Sequence, residues 1–430
     1  MKKRIWILAA IVLVLILPAW TCYRFLHDDP PPEDDDLRVQ REEIPEAENA
    51  YPCFCLAAES LQWPEEKQKK ERLDAVLDGQ EWDAEFVAEL LEANEEALAD
   101  LEHGLALPHC QGPEINSIND AITAPVSAWR KLVKLLCLRA RRLSEEGRRD
   151  EALQQAMKAV RFGHMIEGYK GGLIDYLVGC ACKQIGLQQM RALSTEDGAP
   201  APVLVECARD LMEYPPNVRG LQDALKVEYA ILRKVVDDTA AGKLGLNLPP
   251  SQASAWRGVS KPLFKPNRTK AIFAEILRTW VENIPRTYAQ RATPDVPGWV
   301  LKLEEETPSK LELLSSGNAI GRALVFMLMP GYSGTVKCRE DVQVAATRLV
   351  LALKAYEIEN GALPASLDEL VPDCLDAVPP DDFDGEPVRY DAERGVIYSV
   401  GEDLEDDGGS DGDIAWALSD PARSIEEREM

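Results

Sequence analysis

Residues 353–403 read LKAYEIENGALPASLDELVPDCLDAVPPDDFDGEPVRYDAERGVIYSVGED, and their grammar decides the C-terminal fold. A long helix enters from Cys338, carrying Val342, Ala345, Leu349, Leu351, Leu353, Ala355, Tyr356 and Ile358, and halts at Asn360-Gly361. Leu363-Pro364 leads into a short helix over Ser366–Val371. The Pro-rich turn Val378-Pro379-Pro380-Asp381 follows, and then Phe383-Asp384-Gly385. Strands are expected at about Pro387–Tyr390 and Val396–Val400, around the turn Asp391–Gly395. Ile414 to Leu418 supplies a third strand, giving a small α+β unit over 336–420 and a tail over 421–430.

Between the last two strands, residues 402–413 hold seven carboxylates and no basic residue: Glu402, Asp403, Glu405, Asp406, Asp407, Asp411 and Asp413. Such a cluster repels itself unless something positive sits in it, and a hard cation with six to eight oxygen ligands meets that need. A solvated acidic loop is the alternative. Asp403-x-Glu405-x-Asp407-Gly408 has the spacing of half an EF-hand loop. Its twelfth position is Ile414 rather than Glu and no flanking helices are evident, which excludes that motif.

The ordered series Leu353-Lys354-Ala355-Tyr356, Asn360-Gly361-Ala362-Leu363-Pro364, Leu367, Leu370-Val371-Pro372, Val378-Pro379, Asp381, Phe383-Asp384-Gly385, Tyr390, Tyr398-Ser399-Val400-Gly401-Glu402-Asp403, Asp411 and Asp413-Ile414 resembles the C-terminal globular domain of the major pseudopilin of type II secretion systems. The likeness covers roughly 340–418. It implies a structural Ca²⁺ held by the side chains of Asp403, Asp411 and Asp413, with backbone carbonyls such as those of Val400 and Glu405. Gly412 separates two acids that are adjacent in most pseudopilins. The chain also lacks the Gly-Phe-type leader junction and nearby Glu of a pseudopilin around residues 1–25, and its similar unit lies some 300 residues beyond the N-terminal apolar segment. It is therefore not read as a pilus subunit. The whole arrangement resembles a family of membrane-anchored bacterial proteins.

Upstream, residues 51–335 form a predominantly α-helical region, so the fold class is mainly α. Trp129–Glu146 is a helix carrying Leu132, Leu135, Leu136, Leu138 and Leu143; Gly147 stops it, and Asp150 is expected to cap the next, from Glu151. Ala140, Leu143, Gly147, Ala152, Ala156 and Ala159 fall where a tetratricopeptide-type hairpin places small, large and turn residues. No clean second copy follows, so a helical bundle is the alternative. Further helices are expected at Asn217–Gly242 and Asn267–Asn283. The apolar run Ala319–Met329 is too short to span a bilayer.

Residues 27–50, with Pro30-Pro31-Pro32-Glu33-Asp34-Asp35-Asp36, read as an extended spacer. Before them Lys2-Lys3-Arg4 precedes Ile5–Tyr23, a run without a charge and long enough for one membrane helix. Positive charge ahead of it predicts a signal anchor over 1–26 in the inner (cytoplasmic) membrane, N-terminus in the cytoplasm and body in the periplasm or outside. A cleaved signal peptide is the rival, though neither a small-x-small site nor a good lipoprotein box surrounds Ala19-Trp20-Thr21-Cys22.

With 48 Lys+Arg against 74 Asp+Glu, a net charge of −26, the chain repels nucleic-acid phosphates. No HExxH, GxSxG, SxxK, P-loop or GxGxxG stands in suitable context. Ten cysteines include the pairs Cys53/Cys55 and Cys180/Cys182, neither with zinc-site spacing; in an exported body some are candidates for disulfides. His103, His109 and His164 are possible bases, and His109-Cys110 is the one nucleophile-like dyad. Trp63, Trp82 and Trp299 read as packing anchors. The sequence thus favours a non-enzymatic, Ca²⁺-stabilised envelope scaffold with a protein partner of secretion or pilus type. The competing expectation is an exported hydrolase whose site lies in the helical region.

Overall fold

The computed structural model describes Tyr23 and residues 27–77, 81–117, 120, 124–243, 264–293, 295–301, 317–328, 334–410, 412–422 and 424–425. The chain is mainly helical with one small antiparallel sheet. Helices α1 (Ala50–Glu59), α2 (Lys67–Leu77), α3 (Ala84–Ala93) and α4 (Glu95–Ala106) pack on α5 (Val126–Glu145), burying Phe54, Leu73, Val87, Leu101 and Trp129 together.

α5 and α6 (Arg149–Glu167) form the expected hairpin, and Gly147 makes the turn at φ +78°, a conformation costly for any residue with a Cβ. Arg148, not Asp150, stands at the N-cap. Asp150 falls in the first turn, where its charge faces the positive end of the helix dipole. α7 (Leu173–Ser194) returns along α6 at near-backbone contact. A methyl group on Gly179 would lie 2.7 Å from Glu167 N, one on Gly186 2.7 Å from Val160 N, and one on Gly163 would meet the backbone of Lys183. Three glycines therefore set the α6–α7 spacing.

α9 (Val218–Ala240, capped by Asn217) and α10 (Pro266–Asn283) pair beyond α7, and α11 (Ala319–Leu328) packs Leu324 and Val325 onto them. α8 (Ala201–Asp210) and α7 flank the long helix α12 (Val336–Asn360), which ends at Gly361 in the left-handed conformation, φ +78°. Ser366 caps a 3₁₀ turn at Leu367–Leu370 with Glu369 completing the capping box. The sheet runs β1 (Arg389–Asp391), β2 (Val396–Ser399), β3 (Ile414–Ala417), all antiparallel, with Tyr390 opposite Ile397 and Ile397 opposite Trp416.

Two sequence expectations are adjusted by the structure. The C-terminal unit has its elements in the expected order, and its core is continuous with that of the helical region. Ala140, Leu153 and Leu204 of the helical region join Leu349, Leu353, Phe383, Ile397 and Trp416 in one apolar cluster. α12 is buried on most of its circumference because both sides of it are covered. Arg191 of α7 extends the join, donating to the carbonyls of Pro421 (2.9 Å) and Ala422 (3.1 Å) and so pinning the start of the expected tail.

The segment 27–50 is likewise no free spacer. Leu37 is buried, Tyr229 Oη donates to Asp34 at 2.6 Å, and Arg278 and Arg268 pair with Asp36 and Asp29 at 2.7 Å each. Lys170 Nζ donates to Gln40 O at 2.8 Å. Four of its carboxylates, Asp29, Asp34, Asp36 and Glu42, pair with arginines of α9 and α10, so the segment is a strap laid along the body.

Among the described residues no helix is long and apolar enough to cross a membrane. The expected span Ile5–Tyr23 lies outside the described residues except for Tyr23.

Candidate functional site

The acidic loop places its members apart. Asp403 Oδ1 accepts from Glu405 N at 3.2 Å, and both side chains face solvent. Asp413 is buried, with Oδ2 accepting from Gly409 N (2.7 Å) and Asp407 N (3.1 Å) while Oδ1 has no hydrogen-bond partner. Burial pushes its carboxyl pKa up. Val400 is buried, its N–H donating to Asp381. Asp411 lies outside the described residues. Part of the loop's charge is answered by arginines, since Arg339 pairs with Glu402 at 2.9 Å and Arg389 approaches Asp406 at 3.8 Å. Among the described residues, the loop acids form no group of three with donor atoms within 4.8 Å of one another.

The dyad fares worse. His109 is exposed and 4.0 Å from Glu48, while burial, then the neighbouring Cys55 and Cys53, hold the Cys110 thiol far above its usual range. A thiol so protonated is a poor nucleophile. Trp82 serves as a packing anchor, with Arg141 4.7 Å above its ring. All nine cysteines among the described residues are free thiols.

The densest polar chemistry lies where the helical body meets α12. Lys183 of α7 is fully buried and donates to Glu167 Oε2 of α6 (2.7 Å), Glu340 Oε1 of α12 (2.5 Å) and Pro215 O (3.1 Å), with His164 Nδ1 at 3.3 Å. Tyr176 Oη donates to Glu340 Oε2 at 3.0 Å, and Cys180 Sγ to the same oxygen at 3.4 Å. The glycine-set closeness of α6 and α7 leaves Lys183 and Glu167 together with no exposed surface.

Electrostatics follow from enclosure. Burial, reinforced by the charge of Glu167 and opposed by Lys183, pushes the Glu340 carboxyl up to about 7. Burial raises Glu167 too, against the pull of Lys183. For Lys183 burial disfavours the charge, yet the two carboxylates overcome it and hold the ammonium above its usual range. Burial, then Lys183, lowers His164 to about 4, so it is neutral at pH 7. Glu167 Oε1 has no donor of its own, and a proton on Glu340 is the natural supply. When Glu340 carries its proton, one ammonium, one carboxylate, one carboxylic acid and a neutral imidazole leave no net charge in the cluster.

A cleft of about 360 Å³ between α7 and α12 reaches this cluster, with Cys180, Lys183, Glu340 and Gln343 among its lining and Leu177, Leu187 and Ile414 as apolar wall. Donor atoms of Glu167, Cys180 and Glu340 lie within 4.8 Å of one another, a spacing that suits a metal. The ammonium of Lys183 already takes that place, and burial keeps the Cys180 thiol protonated. The residues fit a resident lysine better than an ion.

Sequence reading missed this cluster because Glu340 lies 157 residues from Lys183 and each residue alone is unremarkable. One signal was there: Lys183 is the only charge between Asp175 and Arg191, in an otherwise apolar, glycine-punctuated helix. No protein-family model, curated protein or solved structure matches the chain.

Proposed function

We propose that the chain is a membrane-anchored, non-enzymatic scaffold of the bacterial cell envelope, related to type II secretion, whose C-terminal α+β unit is clamped to a helical body and offered to a protein partner. The observation that carries this reading is the Glu167–Lys183–Glu340 cluster. Its charges are used on one another across the joint between body and unit, an arrangement that suits a structural clasp. The long helix ended by Gly361, the Ser366–Glu369 capping box and the β1–β2–β3 order support the likeness to the pseudopilin C-terminal domain. Ca²⁺ at Asp403, Asp411 and Asp413, with the carbonyls of Val400 and Glu405, remains part of this proposal. The buried, unpartnered Oδ1 of Asp413 supports it. Alkaline phosphatase fused after residue 50 is expected to be active, and the full chain to resist extraction from membranes by alkaline carbonate. An inactive fusion, or a chain washed off by carbonate, overturns the anchored reading.

One observation favours the alternative, an exported hydrolase: Glu340 sits in a cleft with its carboxyl near 7, the range of a general acid–base group. Screening the full chain against ester, peptide and glycoside substrates tests it. Turnover that disappears in a folded Glu340→Gln variant would establish the enzyme and displace the scaffold.

A further inference from the structure

Acidic residues make up 74 of the 430, and among the stretches that hold none are 239–274, with six Lys/Arg, and 313–339, with Arg322, Lys337 and Arg339. The first stretch meets the start of the second at α10 and α11. Lys265 N donates to Asn318 Oδ1 at 2.8 Å, and Asn318 Nδ2 to Thr269 Oγ1 at 3.1 Å, so α10 and α11 begin side by side. Lys270 pairs with Asp237 at 2.7 Å, bringing the end of α9 to the same place.

The chain leaving the N-terminal apolar run arrives there too. Asp28 Oδ2 accepts from Asn267 N and Asp29 O from Asn267 Nδ2, both at 2.8 Å. His27 N donates to Tyr23 O at 2.9 Å, with the Tyr23 and His27 rings stacked 4.0 Å apart. Tyr23 is therefore at most ~17 Å of chain from the start of α10.

From this corner α11 sends out the largest apolar side chains it does not bury. Gly321 packs against Thr269, and roughly 8 Å further along the axis Phe326 is 38% and Met327 67% exposed. An anionic leaflet repels a chain of net charge −26, and at this corner the carboxylates of Asp29 and Asp237 are answered by Arg268 and Lys270, at 2.7 Å each. Exposed apolar side chains of this size suit the headgroup–acyl boundary.

We propose that this end of the molecule is a bilayer-contacting face, on which α11 seats Phe326 and Met327 among the lipids beside the exit of the N-terminal segment. The inference rests on the anchored reading above, and its test separates the two. The full chain is reconstituted in phosphatidylcholine–phosphatidylglycerol vesicles that carry a lipid with a diazirine on its acyl chain. After photolysis, labelled residues are mapped by mass spectrometry. Leu56 (52% exposed) and Ile358 (51%) serve as apolar controls outside this corner. Labelling of Phe326 and Met327 at least about tenfold above those controls, together with labelling within residues 1–26, is expected. Labelling confined to residues 1–26 overturns the contact face and leaves the anchor intact. Labelling at neither place, with the chain recovered outside the vesicles, overturns both.

Discussion

Replacing Lys183 by Met keeps the length and apolar stem of the side chain and deletes its charge. Glu167 and Glu340 are then left facing each other, buried, without the cation that bonds them at 2.7 and 2.5 Å. Breaking one member out of a buried ion pair costs about 3–5 kcal/mol. A second route gives the same size: holding an ordinary glutamate protonated at pH 7.5, about three pH units above its usual range, costs ~4 kcal/mol. With a urea m value of about 3 kcal/mol/M, the unfolding midpoint of the full chain should fall by roughly 1–1.5 M, read by circular dichroism. Adding Glu340→Gln to Lys183→Met should recover a good part of the loss, because one orphaned carboxylate is gone. If Lys183→Met unfolds at the wild-type midpoint at pH 7.5, or if the two substitutions simply add, the cluster does not clasp the joint and the reasoning fails.

Four further outcomes follow from the same structure. Glu340 has its pKa raised on folding from 4.5 to about 7, so its stabilising contribution is complete below 4.5 and lost as pH rises through about 7; the stability of Glu340→Gln relative to wild type should therefore improve steadily from pH 5 to pH 8, and a constant difference would show that Glu340 does not titrate there. Gly179→Ala puts a methyl 2.7 Å from the Glu167 backbone and should cost about 1–3 kcal/mol in the same urea titration, whereas an unchanged midpoint means α6 and α7 separate freely. Leu37→Ala, at a position only 2% exposed, should cost roughly 2–3 kcal/mol and speed proteolytic cleavage within 27–50; unchanged cleavage would mean the strap does not depend on that anchor. Ca²⁺ at about 100 times its Kd should add ~2.7 kcal/mol to the chain's stability, EDTA should remove the gain, and Asp403→Ala should abolish the difference; a melting curve indifferent to chelator and substitution alike rejects the metal.

Local signals were legible where one residue type carries the geometry. Gly147 and Gly361 were read as helix ends, and both adopt the left-handed conformation that explains why. The strands at Arg389–Asp391, Val396–Ser399 and Ile414–Ala417 fall within a residue or two of the expected runs, because short segments bounded by turn residues are read locally. What stayed hidden depends on partners far along the chain. Asp34 looked like part of a solvated acidic run until Tyr229 and Arg233 were seen around it. Asp36 likewise needed Arg278. Glu340 reads as an ordinary helix-surface glutamate because its burial comes from α6 and α7, which local spacing does not reveal.

The bound strap also changes what the N-terminal attachment permits. A free spacer of that length would let its cargo wander over roughly 25–30 Å. Here the slack is taken up by Asp29, Asp34, Asp36 and Gln40 on the flank they touch. Under the proposed anchoring the body would sit like a turret rather than a buoy, held close to its mooring, and whatever it engages would have to come to it there.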